Sequence, residues 1–123
     1  MTVQTRGETA TSLSGTATSE EGTWVSVAGF RLFLREAGSG HPIVLLHGIP
    51  TSSFLWRRVL PVVARDYRGL APDLLGFGRS DKPAGGDYTV AGQADLLGRL
   101  LEQLGLERYA LVGHDFGVLV ATE

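Results

Sequence analysis

The chain has 123 residues, 43% of them hydrophobic and 20% charged, with a formal net charge of −2. That is enough for one small domain with a core, and it carries no basic stripe of the kind nucleic-acid binding needs. Cysteine is absent, which excludes disulfides, thiolate catalysis and cysteine zinc sites. No apolar run approaches the roughly 18 residues that would span a bilayer, and the N-terminus lacks the apolar stretch of a signal peptide, so a cytoplasmic location is expected.

Residues 1–22 are dominated by Thr, Ser, Gly and Glu, and bury too little to offset their ordering entropy. They are expected to form a disordered tail ahead of a domain at 23–123. Trp24 to Val27 and Arg31 to Glu36 alternate β-branched and aromatic residues around Ala28-Gly29, predicting two short strands. Ile43 to Leu46 is a continuous apolar run, as in a strand buried on both faces. Thr51, Ser52 and Ser53 can cap a helix over Phe54 to Asp66, which Pro61 should kink or restart. Tyr67 to Ala71 is a weaker strand. Val90, Ala94, Leu97, Leu101 and Leu104 recur at helical spacing and predict a helix ended by Gly105. Arg108 to Val112 reads as a further strand and Val118 to Thr122 as the start of a helix. Strands alternating with helices predict an α/β fold with a mostly parallel sheet.

The last predicted strand runs into Gly113-His114-Asp115-Phe116-Gly117. Glycines two residues to either side of Asp115 permit a sharp strand-to-helix turn that a Cβ would obstruct. This is the spacing of a nucleophile elbow, with aspartate where a serine hydrolase carries serine. A carboxylate with a reference pKa near 3.9 is anionic at neutral pH and needs no base before it attacks. It suits displacement at saturated carbon, which leaves an aspartyl ester to be hydrolysed.

At His47 to Arg57 (HGIPTSSFLWR), Pro72 to Pro83 (PDLLGFGRSDKP) and Gly113 to Gly117 (GHDFG) the chain resembles the α/β-hydrolase superfamily. Within it, the similarity is to the aspartate-nucleophile branch of haloalkane dehalogenases and epoxide hydrolases. The resemblance covers residues 23 to 123 and implies the N-terminal half of that fold, strands 1 to 5, without the C-terminal half or the cap. It makes Asp115 the nucleophile, the backbone N–H groups of Ile49 and Phe116 the oxyanion hole, and Gly113 and Gly117 the elbow glycines. Haloalkane dehalogenases typically place halide-donating Asn and Trp at the positions of Ile49 and Phe116. Neither residue has a side-chain donor, which favours an epoxide over an alkyl halide.

The other candidates are weaker. His41 sits in a loop before a strand, and the resemblance implies structural roles for His47 and His114, so none of the three reads as a catalytic base. His47, Asp73, His114 and Asp115 could converge on a metal but show no metal-ligand spacing, so no metal and no cofactor are expected. Asp73 reads as a turn former. Gly76-Phe77-Gly78-Arg79-Ser80-Asp81 lacks the third glycine of a dinucleotide loop. Trp56 suits the core or a pocket wall, and Arg57 and Arg58 a solvated surface or pairing with nearby carboxylates.

The family's acid and histidine lie downstream of the nucleophile, where this chain has six residues after Gly117. The expected function is therefore a fragment of a hydrolase acting on a small-molecule epoxide or alkyl halide, inactive by itself. The alternatives are a non-catalytic truncated product, one half of a split protein acting by association, or an ester or lactone hydrolase, against which the elbow aspartate argues. The family's strand order 1-2-4-3-5-6-7-8 would leave Arg108 to Val112 as an exposed edge, open to self-association.

Overall fold

The computed structural model describes residues 2–6, 17–18 and 22–122, the first two segments as backbone only. Seven strands among these residues form one sheet: β1 (Thr2–Arg6), β2 (Ala17–Thr18), β3 (Thr23–Val27), β4 (Phe30–Gly38), β5 (Pro42–Leu46), β6 (Arg68–Pro72) and β7 (Tyr109–Gly113). Their order is β1-β7-β5-β6-β4-β3-β2. The central part, β3-β4-β6-β5-β7, is the strand order 1-2-4-3-5 that the resemblance implies.

The sheet is mixed rather than mostly parallel. Only β5 with β6 and β5 with β7 run parallel. The β3–β4 pair is antiparallel because the chain reverses at Ala28 and Gly29, both at positive φ. β4 is antiparallel to β6 as well.

Part of the expected tail, 2–6 and 17–18, falls within the described residues. Thr2–Arg6 pairs antiparallel with β7 from Thr2 opposite Gly113 to Arg6 opposite Tyr109, and Ala17–Thr18 pairs with β3. The rest of the expected tail, 1, 7–16 and 19–21, lies outside the described residues. The edge of β7, expected to be exposed, therefore carries a strand. An edge strand offers a row of unpaired backbone groups to any extended segment, and pairing with it needs no apolar composition.

The strand period of two divides the core. Val44, Leu46, Leu70 and Leu111 face α2 (Val90–Gln103) and α3 (Phe116–Thr122), where they join Leu97, Leu100, Leu101, Leu104 and Val120. Leu45 and Ala71 face the other way, against Trp56 and Leu60. Trp56 is thus core. The helix expected over Phe54 to Asp66 is a 3₁₀ turn at Ser53–Trp56 followed by α1 (Leu60–Val63), with Pro61 in the first turn of the restarted helix, where its missing N–H costs nothing. Ser52 caps the 3₁₀ turn by accepting from Phe54 N–H at 3.2 Å. Thr89 caps α2 through Gly92 N–H, and Gly105 at φ 77 closes it. None of the described helices is long and apolar enough to cross a membrane.

Candidate active site

The parallel strands β5, β6 and β7 all end on one side of the sheet, the side where open α/β sheets bind ligands. His47-Gly48 follows β5, Asp73 follows β6 and Asp115 follows β7. Parallel pairing sets Leu46 opposite Gly113, and His114 N–H donates to Leu46 carbonyl at 3.0 Å. Residues 67 positions apart in sequence are thereby brought side by side.

The elbow glycines act through space rather than through φ. A Cβ on Gly113 would stand 2.6 Å from the Gly117 carbonyl oxygen, and one on Gly117 would press into the Leu46 carbonyl and stand 2.8 Å from that of His47. The left-handed residue is Asp115 itself, at φ 57. Asp and Asn tolerate this region better than other side chains, yet it is strained relative to a helix. The turn leaves the Asp115 side chain exposed at the start of α3.

One side of Asp115 is held. Its Oδ2 accepts from Ile49 N–H at 3.2 Å. Gly48 makes that approach feasible, since a Cβ there would lie 2.5 Å from Asp115 Cβ and 2.9 Å from Oδ2. Among the described residues, Oδ1 accepts no hydrogen bond, the Phe116 N–H donates none, and no histidine bonds to Asp115. The Ile49 side chain, on the loop that reaches Asp115, is exposed.

The loop that supplies Ile49 is fastened by groups that sequence reasoning assigned to turns or left aside. His47 is fully buried, donating through Nδ1 to Gly48 carbonyl at 2.9 Å and accepting at Nε2 from Leu74 N–H at 2.9 Å, the tautomer in which both bonds exist. Burial holds its pKa below the ordinary histidine value, against the opposing pull of the Gly48 carbonyl and of Asp73. Asp73, 2% exposed, accepts from Ser53 N–H at 2.6 Å on Oδ1 and from Arg79 N–H at 2.8 Å on Oδ2. Its carbonyl accepts from Ser80 Oγ at 2.6 Å, and that hydroxyl accepts in turn from Phe33 N–H on β4. Asp73 is thus more than a turn former. The Gly76–Asp81 segment is a cross-braced turn: Gly76 N–H donates to Asp81 carbonyl, and Gly78 at φ 54 lies against the Asp73 carboxylate. The Pro72-Asp73…Arg79-Ser80 spacing was the available signal.

The residues considered for a metal do not converge. His47 and Asp73 spend their polar atoms on backbone, His114 and Asp115 are exposed, and no group of three or more ligating side chains occurs among the described residues. Arg57 is exposed, with its guanidinium 4.2 Å from the centre of the Phe54 ring, and Arg58 is exposed.

The family model for the alpha/beta hydrolase fold matches residues 41–123. The chain belongs to the α/β-hydrolase family. It is 39% identical over 97 residues to a haloalkane dehalogenase 2 of Mycobacterium bovis, and 41% identical over 95 residues to a soluble epoxide hydrolase of a Corynebacterium species. These matches cover 79% and 77% of this chain but only 34% and 33% of the relatives, so the chain spans about a third of their length. Among solved structures, an epoxide hydrolase of Vigna radiata superposes with a TM-score of 0.78 at 33% identity, over 82% of this chain and 33% of that one. Cfl2 of Burkholderia cenocepacia gives 0.77 at 44% identity, over 81% and 34%. Both branches that the motifs resemble are therefore represented among the similar proteins of this α/β-hydrolase chain.

Proposed function

We propose that Asp115 is the nucleophile of a hydrolase that opens a small epoxide through an aspartyl ester. The observation that carries this is the split between the two carboxylate oxygens. Oδ2 is held by Ile49 N–H while Oδ1 is left open to attack. Oδ1 forms a bond to an epoxide carbon, the C–O bond of the ring breaks, and the oxygen leaves as an alkoxide that takes up a proton. Water then adds to the ester carbon as a base takes its proton, and Oδ2 becomes the oxyanion in contact with Ile49 N–H. The intermediate collapses with cleavage of the bond between that carbon and Oδ1, which releases the diol and regenerates the carboxylate. The Phe116 N–H, which donates to no other described group, is the second oxyanion donor of this reading. Loss of one such donor typically costs about 10²–10³ in rate.

An alkyl halide is the second substrate reading, supported by the similarity to a haloalkane dehalogenase. Against it, a departing halide finds no side-chain donor on Ile49 or Phe116, whereas an alkoxide needs only a proton.

Hydrolysis needs a base to activate water, and among the described residues none stands against Asp115. Residues 1–123 alone are therefore expected to form the ester once and not to turn over. Incubation of the chain with styrene oxide, and separately with 1-bromobutane, followed by intact mass and peptide mapping tests this. The expected adduct sits on the peptide containing Asp115, forms faster with the epoxide, and is lost in Asp115→Asn, which tolerates the left-handed backbone. An adduct on another residue, or none with either reagent, would remove the nucleophile assignment. Faster reaction with 1-bromobutane would reverse the substrate ranking, and multiple turnovers would refute the single-event reading.

A further inference from the structure

The Gly48 carbonyl oxygen receives three hydrogen bonds: from His47 Nδ1–H at 2.9 Å, Thr51 N–H at 3.0 Å and Thr51 Oγ1–H at 2.7 Å. A carbonyl has two lone pairs and ordinarily takes one or two donors, so three converging on it is a heavily braced position. Gly48 C=O and Ile49 N–H belong to the same planar trans peptide unit and point in opposite directions. Donors that fix the carbonyl on one side therefore aim the N–H on the other, and that N–H is the one 3.2 Å from Asp115 Oδ2.

We propose that Thr51, together with His47, is a positioning residue for the oxyanion donor, acting through the Gly48–Ile49 peptide plane rather than by touching substrate. The bracing is anchored at both ends. His47 is pinned from behind by Leu74 N–H, and two residues after Thr51 the Ser53 N–H is held by Asp73. Thr51 is itself exposed, so its hydroxyl could be satisfied by water; it is spent on this carbonyl instead. Preorganised donors are effective because they need no reorientation when charge develops, and a peptide plane free to rock would lose that advantage. The inference rests on the reading of Asp115 as nucleophile with Oδ2 as the developing oxyanion.

Thr51→Val removes the hydroxyl at nearly constant shape, and Thr51→Ser restores it. Two measurements on the full chain separate the possibilities. The first loads Asp115 to completion with styrene oxide and follows loss of the ester by intact mass at alkaline pH, where hydroxide replaces the activated water. Thr51→Val should slow this cleavage by about 3- to 10-fold, the effect of one hydrogen bond of ordinary strength, and Thr51→Ser should return it to within about 2-fold of the parent. The second uses ¹⁵N-isoleucine labelling. The chain has two isoleucines, Ile43 and Ile49, so Ile43 in β5 serves as an internal control. Thr51→Val should shift the Ile49 amide resonance and speed its hydrogen exchange by a similar factor, leaving Ile43 in place. Equal cleavage rates and an unmoved Ile49 resonance in Thr51→Val would overturn the proposal, as would equal losses in Val and Ser. A shift of Ile43 together with Ile49 would mark general destabilisation and also overturn it. If the parent chain gives no Asp115 ester, the nucleophile reading fails, and the Ile49 resonance alone then decides whether the brace exists.

Discussion

Replacing Asp73 by asparagine changes one oxygen to an amide nitrogen at nearly constant volume, inside a site only 2% exposed. Both carboxylate oxygens currently accept from backbone N–H groups, of Ser53 at 2.6 Å and Arg79 at 2.8 Å. Asparagine has a single acceptor oxygen, so one of those N–H groups must face an NH₂ donor. The surviving bond falls from a charge-assisted one, about 1.5–3 kcal/mol, to a neutral one of about 0.5–1.5 kcal/mol, and the other is lost with its donor left buried. Together these give a destabilisation of about 2–4 kcal/mol, a large share of the 5–15 kcal/mol that a domain usually has. At an m-value of about 2 kcal/mol/M, the urea midpoint should fall by about 1–2 M. Urea unfolding followed by near-UV circular dichroism measures it, with Asp81→Asn as the control. Asp81 Oδ2 accepts a single bond, from Arg31 N–H at 2.7 Å, which an asparagine oxygen can keep, so the control should move by less than about 1 kcal/mol. A midpoint for Asp73→Asn equal to the parent's, or to the control's, would refute the account of Asp73 as the anchor of both loops.

Other outcomes follow from the same geometry. Gly117→Ala drives a Cβ into the backbone carbonyls of Leu46 and His47, which cannot rotate away, so it should cost about 1–3 kcal/mol and lower Tm by about 4–8 °C for each of them; an unchanged thermal melt would refute the close approach. His47 has its pKa lowered by burial, so near and below pH 6.5 the unfolded chain binds the extra proton first. Its contribution is thus fully present above about pH 6.5 and is lost as pH falls through the depressed folded value. Chemical melts between pH 8 and 5 should show this slope, and a His47→Asn variant should lack it; identical slopes would remove the assignment. Deleting residues 1–8 strips β1 from β7 and should produce concentration-dependent self-association by light scattering, since a bare apolar edge recruits another chain. A variant that stays monomeric across the concentration range would show that β1 does not guard the edge.

Much of the fold was legible in sequence because its signals are local. The apolar run Ile43–Leu46, the helical spacing of Leu97, Leu101 and Leu104, and the stop at Gly105 each depend on neighbours within a few residues, and each element formed within a residue or two of its expected bounds. Pro61 announced the break after the 3₁₀ turn for the same reason. The elbow was also local: Gly113, Asp115 and Gly117 state their own requirement for a sharp turn. What the sequence could not show is which distant atoms each polar group would meet. The two buried anchors reach across loops, His47 to Leu74 and Asp73 to Ser53, pairings created only when β5 and β6 lie side by side, whereas the Asp73 bond to Arg79 is local to its own loop. Thr51 looked like one of three interchangeable caps until the turn brought its hydroxyl back onto Gly48. The strand at Thr2–Arg6 was hidden because its composition buries little; its partner is the open edge of β7, more than a hundred positions away. Periodicity and turn chemistry decide elements one at a time, whereas hydrogen bonds between loops are decided by sheet register, which sets Leu46 opposite Gly113 and so brings Ile49 to Asp115.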